Sequence, residues 1–129
     1  MRVEDAMSGD VLVVGPGHTI AEAARLMAER NVGAAVVLDD GMPGPGILTE
    51  RDILRAVGAG ADPQTATVAD HVTWDARSAS TSWDLDTAAA EMVKGNFRHL
   101  VVCDGRGGLV GIVSMRDVVR ARLNRVSPA

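Results

Sequence analysis

Aromatic side chains are scarce in this sequence. Phe97, Trp74 and Trp83 are the only ones among 129 residues, and tyrosine is absent. The core must therefore be built from aliphatic residues and methionine, and the chain offers few rings on which the bases of single-stranded nucleic acid can stack. The net charge of −4 and the isoelectric point of about 5.2 leave no positive surplus for phosphate backbones or anionic lipid. We therefore expect neither nucleic-acid binding nor membrane binding.

Cysteine is nearly absent as well. The single thiol, Cys103, excludes an intrachain disulfide and a cysteine-based zinc site, and its place in the apolar run 99–103 predicts a buried, inert side chain. No stretch approaches the ~18 apolar residues of a membrane span. Glu4 and Asp5 stand where a signal peptide would have its apolar run. These features predict a cytoplasmic protein.

Motifs of catalysis and metal binding are missing too. His18, His71 and His99 show no metal-ligand spacing. The glycine-rich stretches 15–17 and 41–46 lack the lysine of a phosphate-binding P-loop, and no Gly-x-Ser-x-Gly nucleophile elbow occurs. Because no set of nucleophile, base and orienting group stands out, we expect no enzymatic activity, no metal ion and no required cofactor.

The sequence does contain an internal repeat. When it is shifted by 65 positions, its two halves align without a gap. The coinciding pairs include Val3 with Val68, Met27 with Met92, Asn31 with Asn96, Gly46 with Gly111, Ile47 with Ile112, Arg51 with Arg116 and Asp52 with Asp117. Chance matching of alanine and valine does not produce Gly-Ile-x-Thr/Ser-x-Arg-Asp twice at one offset. We therefore predict two repeats, residues 1–60 and 68–125, joined by a linker at 61–67.

Hydrophobic periodicity predicts the same βαββα order in each repeat. In the first repeat, Thr19 and Glu22 form a capping box before a helix that extends to Arg30. The other predicted elements are strands at 11–14, 34–38, 46–48, 79–80, 99–103 and 109–113, and helices at 49–58, 84–94 and 114–125. One such repeat is too small to bury a core well. We therefore expect an α/β (α+β) fold in which two repeats, related by a pseudo-twofold axis, pack through their sheets around a central cleft.

Two heptapeptides contain the residues that could cap a helix or bind a ligand. They are Gly-Ile-Leu-Thr-Glu-Arg-Asp, which ends at Asp52, and Gly-Ile-Val-Ser-Met-Arg-Asp, which ends at Asp117. One interpretation is local: Thr49 and Ser114 cap helices, and the two aspartates complete the capping boxes. The other interpretation is a ligand site, because a helix N-terminus offers amides and positive potential to a phosphate and a neighbouring carboxylate accepts from ribose hydroxyls. Both interpretations remain open, and both can hold at once.

The two heptapeptides and the repeated βαββα order resemble the Gly-hydrophobic-x-Thr/Ser-x-x-Asp signature of cystathionine-β-synthase-type (CBS) domains. The resemblance covers nearly the whole chain. A tandem CBS pair forms a disc-like Bateman module, which commonly binds adenosine-containing ligands such as AMP, ADP, ATP, NAD or S-adenosylmethionine. The resemblance implies that Thr49 and Asp52 serve one site and that Ser114, Arg116 and Asp117 serve the other. In each site the aspartate would hold the ribose, and the hydroxyl would lie near ribose or phosphate.

The resemblance also implies basic residues at the start of one strand, which here begins with Arg98 and His99. The equivalent positions of the first repeat are Gly33 and Ala34, without charge. We therefore expect the site reached by Arg98 and His99 to favour phosphate, and the other site to be weaker or to prefer a less charged ligand. Simpler roles remain open, namely a solvated strand-end charge for Arg98 and a hydrogen-bonded interior histidine for His99.

The function implied by the resemblance is that of a regulatory, energy-sensing module. A stand-alone CBS pair would bind an adenosyl ligand in the cleft between its repeats and thereby shift a contact with a protein partner on another chain. The resemblance further implies a homodimer formed through helices, for which apolar positions are available at Ile53, Leu54, Val57, Val118 and Val119. The alternative is a ligand-independent dimeric interaction scaffold, in which the two motifs are helix caps only.

Overall fold

The computed structural model describes residues 1–126, which form five α-helices, one short 3-10 helix and six strands. In chain order the elements are α1 (Val3–Ala6), β1 (Val13–Val14), α2 (Ile20–Arg30), β2 (Ala34–Val37), β3 (Gly46–Thr49), α3 (Glu50–Gly58), the 3-10 helix (Val68–Asp70), β4 (Ser78–Ser80), α4 (Leu85–Gly95), β5 (His99–Cys103), β6 (Leu109–Ser114) and α5 (Met115–Val126). The strands and the four longer helices lie within two residues of their predicted bounds. The periodicity does not predict α1 or the 3-10 helix, because a single turn is too short to show a repeating apolar face.

The strands form two three-stranded sheets of identical topology. In the first sheet, β1 pairs parallel with β2, and β2 pairs antiparallel with β3. In the second sheet, β4 pairs parallel with β5, and β5 pairs antiparallel with β6. A helix connects the two parallel strands of each sheet, because a parallel pair needs a crossover. The predicted α/β class with two βαββα repeats is confirmed.

The helices α2 and α4 both begin at a side-chain cap, and they end in the same way. Thr19 Oγ1 accepts a hydrogen bond from the amide three residues further on (3.1 Å), and Asp84 Oδ1 accepts one from the amide two residues further on (2.8 Å). The carboxylate of Glu22 accepts from the Thr19 hydroxyl rather than from the backbone, which differs from the predicted capping box. Both helices end at asparagines in the left-handed conformation, Asn31 and Asn96, with φ of 55° and 56°. Asparagine tolerates this conformation better than most residues.

The chain forms two compact units, each with an aliphatic core. The central unit is Val11–Ala76, and the terminal unit combines Met1–Asp10 with the described residues from Arg77 onward. The core of the central unit consists of Leu12, Val14, Ile20, Ala23, Met27, Ala35, Val37, Leu48 and Val68. The core of the terminal unit consists of Val3, Ala79, Leu85, Ala88, Met92, Leu100, Val102, Val113 and Val118. Both sets are aliphatic apart from one methionine each, as the scarcity of aromatic residues predicts.

The bounds of the compact units differ from those of the sequence repeats. Each repeat begins with a leading segment, residues 1–10 in the first and residues 68–76 in the second. The first leading segment belongs to the terminal unit, and the second belongs to the central unit. Val3 and Val68, the equivalent valines of these segments, are both 0% exposed. The two leading segments are therefore exchanged between the repeats.

Each exchanged segment adds a backbone pairing to the last strand of its unit. In the terminal unit, the Ser8 amide donates to the Ile112 carbonyl (2.9 Å), and the Ile112 amide donates to the Ser8 carbonyl (3.0 Å). In the central unit, the same two bonds join Thr73 and Ile47 at 3.0 and 3.1 Å. Ser8 and Thr73 occupy equivalent positions of the repeat. The leading segments thus lie beside β3 and β6, the strands that contain the first residues of the two heptapeptides.

Candidate ligand-binding site

The heptapeptide that ends at Asp52 forms the central junction, where β3 passes into α3. Thr49 is the last residue of β3 and the N-cap of α3. Its hydroxyl accepts a hydrogen bond from the Asp52 amide (3.2 Å), and the Asp52 carboxylate accepts from the amide (2.9 Å) and the hydroxyl (3.1 Å) of Thr49. The two residues form a complete capping box, as the local interpretation predicts.

The heptapeptide that ends at Asp117 forms the terminal junction, where β6 passes into α5. The Ser114 hydroxyl accepts from the Asp117 amide (3.1 Å), and the Asp117 carboxylate accepts from the Ser114 amide (2.9 Å). The other carboxylate oxygen of Asp117 lies 3.7 Å from Nη1 of Arg120. An ionised carboxylate has about four acceptor positions. The cap therefore leaves acceptor capacity on Asp117 for the hydroxyl of a ligand.

At each junction, the first amide of the helix donates a hydrogen bond to the residue that precedes a neighbouring strand. The Glu50 amide donates to the Gly33 carbonyl, and the Met115 amide donates to the Arg98 carbonyl, both at 2.9 Å. In the antiparallel pairing, the residue after Arg98 is His99, which lies opposite Ser114. The backbone thus places Arg98 and His99 directly beside the start of α5.

The seven predicted site residues fall at two places in the fold. The central junction contains Thr49 and Asp52; the terminal junction contains Ser114, Arg116 and Asp117, with Arg98 and His99 beside it. Arg98 and Arg116 are exposed, and the other five residues are half-buried. The structure therefore brings five of the predicted residues together in the terminal unit, while the central junction has two.

Close backbone packing explains the glycine that opens each heptapeptide. A Cβ atom on Gly46 would lie 2.8 Å from Val72 Cγ2 and 2.9 Å from Trp74 Cε3. A Cβ atom on Gly111 would lie 2.5 Å from the carbonyl oxygen of Ser8. The leading segments thus run so close to these strands that a Cβ atom at Gly111 would overlap backbone, and one at Gly46 would displace the side chains of Val72 and Trp74. The repeated glycine is visible in the sequence, but its packing partner is not.

The two tryptophans pack against the cores. Trp74 is half-buried against the core of the central unit, and Trp83 is half-buried against that of the terminal unit. Cys103 is half-buried rather than fully buried, and burial, together with the charge of Asp104, raises the pKa of its thiol.

Sequence reasoning overlooked the first residues of α3 and α5. Glu50 begins α3 and Met115 begins α5, at equivalent positions of the repeat. The sequence does show this difference, because Glu50 and Met115 are unlike residues at the same position of two otherwise similar heptapeptides. Because a charge in the first turn acts on the potential at a helix N-terminus, this difference gives the two junctions different local potentials.

Within residues 1–126, no group of three or more histidine, cysteine, aspartate or glutamate side chains is arranged to hold a metal ion. In the same part of the chain, the helices are all too short or too polar to cross a membrane.

The fold and the twin junctions define a duplicated α/β module, and comparison with known proteins identifies the repeated unit. The family model for the CBS domain matches residues 3–59 and again residues 68–124. The chain is 38% identical over 123 residues to an uncharacterized 17.7 kDa protein of Acidianus ambivalens, and the alignment covers 95% of this chain and 74% of that protein. It is 36% identical over 126 residues to the CBS domain-containing protein YhcV of Bacillus subtilis, with 97% and 88% covered. The chain belongs to the CBS domain family and contains a tandem pair of CBS domains.

Solved structures agree with this assignment. A CBS-domain-containing protein from Agrobacterium tumefaciens matches with a TM-score of 0.85 and 35% identity, over 95% of this chain and 99% of that one. The CBS domain pair of protein MJ0100 matches with a TM-score of 0.83 and 25% identity, again over 95% and 99%. The latter structure is a complex with 5′-methylthioadenosine and S-adenosyl-L-methionine.

Proposed function

We propose that this CBS pair binds an adenosine-containing ligand at its junctions and acts as a regulatory sensor without catalytic activity. AMP, ADP, ATP, NAD and S-adenosylmethionine are the candidate ligands. The observation that supports this best is the duplicated junction, in which a hydroxyl and a carboxylate meet at the start of a helix. The likeness to a CBS pair in complex with two adenosyl compounds supports the same ligand class.

The chemistry of the junctions suits the sugar of such a ligand. Asp52 and Asp117 each keep acceptor capacity beyond the capping bonds, and a carboxylate in this position accepts from ribose hydroxyls. Thr49 and Ser114 supply hydroxyls that can bond to a ribose, and they lie at the positive end of a helix, which favours a phosphate. In this proposal each aspartate holds the ribose, and each hydroxyl serves the ribose or the phosphate.

Thermal unfolding in the presence of AMP, ADP, ATP, NADH and S-adenosylmethionine tests the proposal. A ligand at 100 times its dissociation constant stabilises the native state by about 2.7 kcal/mol, which raises the midpoint by several degrees. We expect such a shift with at least one adenosyl compound. Asp52→Asn and Asp117→Asn should reduce it, because the amide retains one capping oxygen but loses the negative charge that strengthens a bond from ribose.

Asp84→Asn is the matched control, because Asp84 also caps a helix but lies outside both junctions. This variant should change only the midpoint of the free protein and leave the shift caused by the ligand the same. Unchanged midpoints of the wild-type protein with all five compounds would contradict the proposal and leave the junctions as helix caps.

We further propose that the module forms a homodimer through α3 and α5. The side chains of Leu54, Val57 and Val119 are 72%, 50% and 50% exposed, which is costly for apolar residues left in water. One expected dimer residue is corrected by the structure, because Val118 is 6% exposed within the core of the terminal unit. Ile53 is half-buried against the core of the central unit.

Light scattering coupled to size exclusion tests the dimer. Leu54→Asp should convert a dimer of about 27 kDa, twice the 13.5 kDa of the chain, to the monomer mass. Val13→Asp, at a residue 49% exposed outside α3 and α5, is the control and should leave the mass unchanged. A dimer that persists in Leu54→Asp but dissociates in Val13→Asp would exclude this interface.

A further inference from the structure

The two units of the chain differ strongly in net charge. The central unit has four basic and nine acidic side chains, which give it a net charge of −5. Residues 1–10 and 77–129, which include the terminal unit, have nine basic and eight acidic side chains, a net charge of +1. The charge that one copy of the chain meets in a second copy therefore depends on which unit of that copy it faces.

The exposed apolar side chains of the helices form two patches, one in each unit. The central patch consists of Leu54 and Val57 on α3, which are 72% and 50% exposed. The terminal patch consists of Val119 and Leu123 on α5, which are 50% and 63% exposed, and of Val93 on the adjoining α4, which is 72% exposed. Residues three or four positions apart share one face of a helix, so each patch presents apolar surface to a partner.

The surroundings of the two patches differ in size at equivalent positions of the repeat. The counterparts of Val93 and Leu123 are Ala28 and Gly58, which are exposed on α2 and α3. The terminal patch thus has large side chains where the central patch is bordered by small ones. Because large residues pack most closely against small ones on a facing surface, the terminal patch of one copy fits the central patch of another better than either patch fits itself.

Charge beside the patches favours the same combination. Glu29 follows Ala28 near the end of α2 and is exposed. Its counterpart is Lys94, which follows Val93 near the end of α4 and is also exposed. A dimer in which like units face each other sets two central units of charge −5 together, whereas a dimer of unlike units sets −5 against +1. Like charge across an interface is unfavourable, and opposite charge is favourable.

We propose that a second copy of the chain binds head to tail, so that the terminal patch of each copy covers the central patch of the other. This inference rests on the homodimer proposed above and specifies its orientation. The contact is made twice about a two-fold axis, which closes the assembly at two copies. The helix that begins at the central junction of one copy, α3, then lies against the helix that begins at the terminal junction of the other, α5.

Cross-linking of introduced cysteines tests the orientation. Leu54→Cys and Val119→Cys are made separately in a Cys103→Ser background, which removes the native thiol. Two chains that a tag distinguishes by mass are then co-expressed and treated with a short bismaleimide. Leu54→Cys paired with Val119→Cys should cross-link, and either variant paired with itself should not. Val13→Cys, at a residue 49% exposed outside both patches, controls for random collision and should not cross-link in any combination.

Charge reversal gives a second test, in which the two orientations predict opposite signs. In the head-to-tail dimer, Glu29→Lys should raise the dissociation constant by about two- to fivefold, the effect of an exposed charge pair. It also releases Arg25, which lies 4.0 Å from Glu29. In a dimer of like units, the same variant would reduce the repulsion between two central units and lower the dissociation constant. Asp75→Lys, which makes the same change at an exposed residue outside the helices, is the matched control and should have a smaller effect.

The outcomes separate the orientation from the dimer itself. If each cysteine variant cross-links with itself, or if Glu29→Lys tightens the dimer, the orientation is wrong while the dimer stands. If Asp75→Lys acts as strongly as Glu29→Lys, the effect is one of overall charge, and the assignment to the patches is wrong. If light scattering shows a wild-type monomer, or if a dimer forms but no combination cross-links, the homodimer through these helices fails, and its orientation fails with it.

Discussion

His99 lies directly opposite Ser114 in the antiparallel pairing of β5 with β6. The equivalent pair of the central unit is Ala34 and Thr49. A titratable side chain therefore stands across from the helix cap in one unit and a methyl group stands there in the other, although both caps have the same hydrogen-bond geometry. The two units thus differ at the positions beside the caps, and the caps themselves are nearly the same.

The exchange of leading segments predicts that the third residue of the chain is important for stability. Val3 is 0% exposed and belongs to the core of the terminal unit. Val3→Ala should lower the free energy of unfolding by roughly 2 kcal/mol, because it removes buried methyl groups and leaves a cavity. Val68→Ala, its repeat equivalent, should have a similar effect. Urea denaturation measures both, with Val13→Ala as the exposed control; a loss at Val3 no larger than at Val13 would contradict the packing.

The close approach of Ser8 to Gly111 predicts a cost for any side chain there. Gly111→Ala should lower the free energy of unfolding by about 1–3 kcal/mol, because the new Cβ meets backbone that cannot turn aside. Gly46→Ala should cost less, since it meets the side chains of Val72 and Trp74 instead. Chemical denaturation of the wild-type protein, Gly46→Ala and Gly111→Ala measures their free energies of unfolding, which should decrease in that order. Gly105→Ala, which meets no atom within 4 Å, is the control and should be nearly neutral.

The left-handed ends of α2 and α4 predict a specific response to substitution. Asn31→Ala should lower the free energy of unfolding by about 1 kcal/mol, because a Cβ-bearing residue without a short polar side chain is strained at a φ of 55°. Asn31→Gly should be close to neutral, since glycine adopts this conformation freely. Thermal and urea unfolding of the two variants measures the difference. Equal stability of both variants would show that the left-handed geometry does not control the end of α2.

The environment of Cys103 predicts slow thiol chemistry. Burial, and secondarily the charge of Asp104, raises the pKa of the thiol above its ordinary value of 9.0. Since the folded pKa is the higher one, this group's contribution to stability is complete below pH 9.0 and is lost as the pH rises through the folded pKa. The rate of reaction with a disulfide reagent, measured against pH, should therefore have its midpoint above that of an unfolded control.

Asp104→Asn distinguishes the two causes of that shift. The Asp104 oxygen that accepts from the amides of Arg106 and Gly108 is retained by asparagine, so the turn should persist. The midpoint should fall only part of the way towards the unfolded value, because burial is the larger cause. A complete return would mean that the carboxylate, and not burial, controls the thiol.

Much of the fold and of the candidate site could be predicted because the signals are local. The capping boxes at Thr49 and Ser114 depend on residues three positions apart, so the heptapeptides alone predict them. Register could not be predicted in this way: the pairing of His99 with Ser114 joins different strands and depends on the geometry of the turn between them. The exposure of Arg98 and the burial of Val118 likewise depend on packing that the motifs do not show.

The sequence by itself determined the repeat, the order of the elements and the residues at each junction, because periodicity, capping and glycine spacing act over a few residues. Only the tertiary structure decided which leading segment completes which unit. Val3 and Val68 are the same residue at the same position of the repeat, so local preference cannot assign either valine to one core or the other. The exchange is decided by contacts between residues far apart in the chain, whose combined burial and backbone pairing exist only once the units have formed.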